Sequence, residues 1–165
     1  MNDQDPDITL RELAVLGRDG KEFYEYAQLM VDGPLHARFA SAARAKAELL
    51  ALLASRVSPL RAPAPPGAAS DASRSATRPM PFAFRQALSH SRRALQRGRP
   101  ADAVAALDTV ERHVLTHYRA RLAGATDPRT RDTLALLVPV LAEGGQALGA
   151  GPAVASAGLV HGVAH

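Results

Sequence analysis

Residues 23–39, FYEYAQLMVDGPLHARF, decide the fold. Phe23, Tyr24, Ala27 and Val31 recur at three- and four-residue spacing, the period of a helix with one buried face. The run stops at Asp32-Gly33-Pro34. Glycine supplies the left-handed turn that ends a helix, and proline suits the first position of the next. Leu35 and Phe39 then resume the same spacing. Two helices joined by so short a turn pack as antiparallel neighbours.

Working outward, the first helix starts after Asp7. Thr9-x-x-Glu12 has the form of a capping box, with Asp7 as the alternative cap. Leu13, Leu16, Gly20, Phe23, Tyr24, Ala27 and Val31 share one face, and Arg18, Glu22 and Glu25 the other. The second helix covers 34–57, with Leu35, Phe39, Ala42, Leu49, Leu53 and Val57 as its apolar stripe. Residues 58–81 are rich in Pro, Ala, Ser and Gly and read as a flexible crossover linker. A short amphipathic helix follows at 82–97, with Phe84, Ala87, Leu88, Ser91 and Leu95 on one side, and Gly98-Arg99-Pro100 ends it.

A long helix over 100–122 places Val104, Leu107, Glu111, Val114, Leu115, Tyr118 and Leu122 together. Asp127 is an N-cap before Pro128, and a last helix over 128–148 turns Leu134, Leu137, Val138, Leu141 and Gly145 inward. Pro139 lies inside that helix and should kink or break it, at a cost of ~3 kcal/mol. The expected organisation is one all-α domain over 8–148, an up-down four-helix bundle of two hairpins plus the short extra helix. Residues 1–7 and 149–165 are expected to be disordered ends.

Composition agrees. Alanine, leucine and arginine dominate, there is no Trp, and aromatics make up 4%; β-branched runs are missing. The absence of Cys excludes disulfides and thiolate metal sites. The acidic start after Met1 lacks the basic head and apolar run of a secretory signal, and no apolar run before 149 is long enough to span a bilayer. The expected location is cytoplasmic, and a membrane is disfavoured as a partner. The formal charge is +4, yet 61–99 hold eight arginines against one acid, Asp71, so the remainder is net acidic.

Several short strings resemble a known group. Gly20-Lys21-Glu22-Phe23-Tyr24-x-x-Ala27, then Asp32-Gly33-Pro34-Leu35, then Phe39-x-x-Ala42, are similar to the first hairpin of an uncharacterised bacterial ferritin-like family of four-helix bundles, related to rubrerythrin. Glu111 and Tyr118, seven apart, resemble its third helix. The resemblance covers roughly residues 8–57 and 82–147. It implies a ferritin-like bundle, two hairpins joined by one long crossover, and it raises the question of a di-metal site.

Such sites take a Glu from each of two helices and Glu-x-x-His from each of the other two. Residues three apart lie on one helix face, and hard oxygens with imidazole suit iron or manganese. This chain departs from the pattern. The place seven after Phe39, where rubrerythrin-like relatives carry a ligand Glu, holds Lys46, and three further on stands Leu49. There is no Glu-x-x-His, Glu22 and Glu143 count outward, and only Glu111 stays on a core stripe. The expectation is therefore a degenerate site without cofactor. The alternative is a reduced iron or manganese site built from Glu111, Glu22 and His117.

Glu111 and Lys46 both fall on core faces. They form a buried ion pair, or else Lys46 snorkels to the edge and Glu111 meets water. Tyr24 and Tyr118 lie on core faces and read as core residues with locally bonded hydroxyls, the alternative being tyrosines near a lost metal centre. His113 and His117, four apart on an outer flank, read as solvated, with a single surface metal ion as the alternative. Gly17 and Gly20 permit close helix approach. Arg85, Arg92, Arg93, Arg97 and Arg99 make a basic arm that suits an acidic partner or phosphates. Only Phe82 and Phe84 accompany it, so nucleic acid is disfavoured. No nucleophile elbow, phosphate loop or dinucleotide fingerprint occurs. The expected role is non-enzymatic, through a protein partner or self-association, with the short helix as the docking element.

Overall fold

A computed structural model describes residues 6–56 and 80–149. They form five α-helices with no strand among them: α1 Pro6–Leu29, α2 Pro34–Arg56, α3 Met80–Gln96, α4 Pro100–Gly124 and α5 Pro128–Gly149. The disorder expected for 1–7, 58–81 and 149–165 falls mostly outside the described residues. Where the two overlap it is corrected: residues 6–7, 80–81 and 149 belong to helices.

Close pairs fix the direction of each helix. Gly17 faces Leu50 and Gly20 faces Lys46, so α1 and α2 run antiparallel. Ala45 faces Gly144, and Arg38 Nε donates to the Ala147 carbonyl at 3.3 Å, so α5 runs antiparallel to α2. Glu111 faces Gly145 and Asp108 faces Gly149, which sets α4 against α5. Arg85 meets Asp19 and Arg92 meets Tyr26, so α3 runs parallel to α1. The helices form a closed ring in the order α1, α2, α5, α4, α3.

The expected four-helix bundle with an appended helix is thus a bundle of five. α3 is the fifth member of the ring, seated between α1 and α4. It buries Met80, Phe84, Leu88, Ser91, Ala94 and Leu95, and Ser91 Oγ donates to the Ala103 carbonyl at 3.3 Å. The apolar side of α3 is thus buried within the molecule. The place of α3 also changes the crossover. α2 ends and α3 begins at one end of the ring, and α3 returns the chain to the other. Seventeen residues at 1.5 Å each cover ~25 Å of that return.

The turns follow the sequence. Gly33 and Gly98 adopt positive φ, 63° and 69°, where an L side chain is strained. After Gly98, the Arg99 amide reaches back to the Ala94 carbonyl at 2.9 Å, closing the α3 C-terminus. Asp127 Oδ2 accepts from the Thr130 amide and hydroxyl, both at 2.7 Å, and caps α5. Those bonds hold its carboxyl below the usual range.

Of the two outcomes expected at Pro139, a kink or a break, the break does not occur: α5 is continuous through it. Pro139 and Ala135, whose carbonyl loses its amide partner, are both exposed residues. The expected capping box is corrected. Thr9 and Glu12 form no capping box, because α1 begins before them. They face α4 instead, and Arg121 Nη1 donates to Thr9 Oγ1 at 2.7 Å and Glu12 Oε2 at 3.2 Å. No helix among the described residues is long and apolar enough to cross a membrane.

Candidate functional site

The centre of the ring holds three polar side chains from three helices. Lys46 on α2 and Glu111 on α4 are each 1% exposed, and Tyr24 on α1 is fully buried. Lys46 Nζ donates to Glu111 Oε2 at 2.7 Å. The Tyr24 hydroxyl donates to Glu111 Oε1 at 2.6 Å. Each carboxylate oxygen therefore has its own donor. Such a group survives burial only when paired in this way, because an isolated ion would lose its hydration without return.

The surroundings hold this geometry. Gly20 leaves room for the lysine stem: a Cβ there would lie 3.0 Å from Lys46 Cε and 3.3 Å from Cδ and Cγ. The Phe84 ring of α3 lies 5.3 Å from the ammonium and faces its charge with π density. Tyr24 stacks on Phe39 at 6.3 Å and meets the edge of Phe23 at 5.7 Å. Burial first, and then the Glu111 charge and hydrogen bond, push the Tyr24 hydroxyl well above the usual phenol range. Tyr24 is thus held protonated, as a donor.

Of the two readings open for Lys46 and Glu111, the structure takes the ion pair. The proposed metal residues are not brought together. Glu22 is exposed on α1, His113 and Glu143 are exposed, and His117 is half-buried on a flank. Among the described residues no group of three or more His, Asp or Glu could hold a metal ion. A di-iron or di-manganese centre needs several anionic oxygens. Here one carboxylate is already neutralised by a lysine, so the residues present do not fit that group.

Of the two readings of the Tyr24 hydroxyl, local bonding is corrected: it reaches Glu111 on another helix. Its partner lies 87 positions away. The one signal was that Tyr24 stands a turn beyond Gly20 on the stripe that faces Lys46.

A second polar cluster occupies the α1–α4 seam, around Arg121, Thr9 and Glu12. The His117 ring meets the Tyr118 ring edge-on at 5.1 Å. The Tyr118 hydroxyl and His117 Nε2 are buried without a hydrogen-bond partner among the described residues. Burial, with Arg121 next in weight, holds His117 below its ordinary value. Burial and the Glu12 charge push Tyr118 up.

The basic arm is partly spent inside the molecule. Arg85 Nε pairs with Asp19 Oδ2 at 2.5 Å, and Arg99 reaches Asp102 at 3.5 Å. Arg92 lies over the Tyr26 ring, 4.3 Å from its centroid. Arg93 and Arg97 are exposed. No protein family, curated protein or solved structure matches the chain.

Proposed function

We propose that this protein is a non-enzymatic, ferritin-like helical bundle that carries an ion pair where such bundles hold metal, and that it acts through its surface by associating with a protein partner or with itself. One observation carries the reading: both oxygens of Glu111, the one acid on a core stripe, are engaged by Lys46 and Tyr24. Each carboxylate oxygen already has a donor, and the ammonium beside it balances its charge, which lowers its value as a metal ligand. With the interior closed in this way, the exposed surface is what the molecule presents to others.

The test is metal content after aerobic loading with iron(II) or manganese(II) and desalting, on protein purified without a histidine tag. The expected result is no stoichiometric retention. Stoichiometric metal, lost in Glu111→Gln, would overturn the reading in favour of a reduced metal site. Light scattering over a range of concentrations then separates the two modes of association. A concentration-dependent dimer means self-association, and a persistent monomer means a different partner.

A further inference from the structure

The strongest unbalanced feature outside the centre is the outer face of α3. Residues 80–99 contain no acid and carry Arg85, Arg92, Arg93, Arg97 and Arg99. The buried stripe of α3 anchors the helix between α1 and α4, so these charges ride on a rigid element. At ~100° per residue, Arg93 points directly away from that stripe, beside the Phe82 and Gln86 positions. His90 and Arg97 lean toward α4, and Arg85 and Arg92 toward α1.

The pairings sort these charges. Asp19 neutralises Arg85, and Asp102 lies within reach of Arg99. Arg92 has an aromatic ring beneath it and no acid paired with it among the described residues, so its charge is positioned but not cancelled there. Arg93 and Arg97, four residues apart, have no acidic partner among the described residues. Together Arg92, Arg93 and Arg97 form a cationic patch about one and a half turns long, with Arg93 and Arg97 neighbours on it and Arg92 at its α1 edge, and without an acidic partner among the described residues. Neighbours four apart on a helix lie ~5–6 Å from each other.

The borders of the strip decide what fits it. On the α1 side, Asp19, Glu22 and Tyr26 make one helical stripe. Its two ends contact α3, and the exposed Glu22 stands between them. On the α4 side stands exposed Asp102. A nucleic acid, with its dense phosphate charge, would spread across these acids. Among the described residues Phe82 is the one largely exposed aromatic on this face, too few to stack successive bases. A narrow chain lying along α3 avoids the bordering acids and meets only the arginines.

We propose that the outer face of α3 is a docking strip for an acidic protein segment, held by Arg93 and Arg97 and by Arg92, which Tyr26 keeps in position. The proposal rests on the reading of the bundle as a surface-acting protein, and it names the chemistry of that partner. Guanidinium forks match carboxylates in geometry as well as in charge.

The experiment titrates the full chain against a labelled oligoglutamate peptide and, in parallel, a single-stranded DNA of similar charge. Arg93→Glu/Arg97→Glu is the disrupting variant. Arg93→Gln/Arg97→Gln is the milder one, in case reversed charge at the helix end impairs folding. Arg44→Glu, exposed on α2 away from α3, is the control. The expected result is peptide binding that weakens from ~0.01 M to ~0.15 M ionic strength. It should fall about tenfold or more in both double variants and be unchanged in the control.

No peptide binding at low salt overturns the proposal, as does an equal loss in the Arg44 control. DNA binding tighter than peptide binding replaces the partner with a nucleic acid. These outcomes leave the metal measurement untouched. Stoichiometric metal would strike the reading of the centre without altering the peptide result.

Discussion

Lys46 and Glu111 stand 65 positions apart in the chain and 2.7 Å apart in the fold, with side chains 2% and 0% exposed. Removing either partner strands the other charge in the interior. Lys46→Met and Glu111→Gln should each lower unfolding free energy by ~3–5 kcal/mol. Lys46→Met with Glu111→Leu, which replaces both charges with apolar volume, should recover much of that loss. Urea melts of the three variants read the coupling directly. Two neutral single variants would refute the pair.

Tyr24→Phe removes one donor and leaves Glu111 Oε1 without a partner. The expected loss is about 1.5–3 kcal/mol, the range for a bond to a charged acceptor. A loss below that of an ordinary exposed substitution would show that the 2.6 Å contact is incidental.

Alkali tests the same hydroxyl. The folded values of Tyr24 and Tyr118 are raised above the unfolded phenol value of ~10. The associated stability is therefore full below that pH and is lost as pH rises through the folded values. Stability should decline above pH ~10, and phenolate absorbance from these two residues should appear together with loss of helix. Absorbance that rises while helicity holds would contradict the burial.

Two glycines in the same layer should respond with opposite sign. A Cβ at Gly145 lies 3.8 Å from Glu111 Cβ, an ordinary contact. Gly145→Ala should then stabilise by roughly 0.5–1 kcal/mol through helix propensity alone. At Gly20 the same methyl presses on a lysine stem whose head is fixed on Glu111, so Gly20→Ala should destabilise despite its better propensity. Thermal melts of both variants decide this, and a stabilised Gly20→Ala would show that the lysine stem has slack.

His117 gives an acid-side prediction. Its folded value is lowered, so its contribution is present above the unfolded value of ~6.5 and is lost as pH falls through the folded value. The fall in melting temperature between neutral pH and pH ~5 should be smaller in His117→Gln than in the parent chain. An equal fall would place the acid sensitivity elsewhere.

The sequence made the helices legible because their caps and stripes are local. Asp127, Gly33 and Gly98 act within a few residues of themselves. Lys46 and Glu111 were legible as polar intrusions on apolar stripes, since a helix period places them inward whatever lies opposite. What lies opposite is a property of assembly. The bond from Tyr24 to Glu111, the Arg121 bridge to Thr9 and Glu12, and the place of α3 between α1 and α4 depend on how the stripes meet, which no single stripe encodes. At Pro139 the sequence left a kink or a break open, and the continuous α5 removes the break.

The ammonium at the centre has a consequence for how the molecule is made. A bundle whose middle is organised by iron or manganese matures only as fast as the cell delivers that ion, and it competes with every other claimant for it. Here the balancing cation is encoded in the gene and arrives from the ribosome already tethered, one per chain. The charge balance of Glu111 is thereby complete as soon as α2 and α4 pack together.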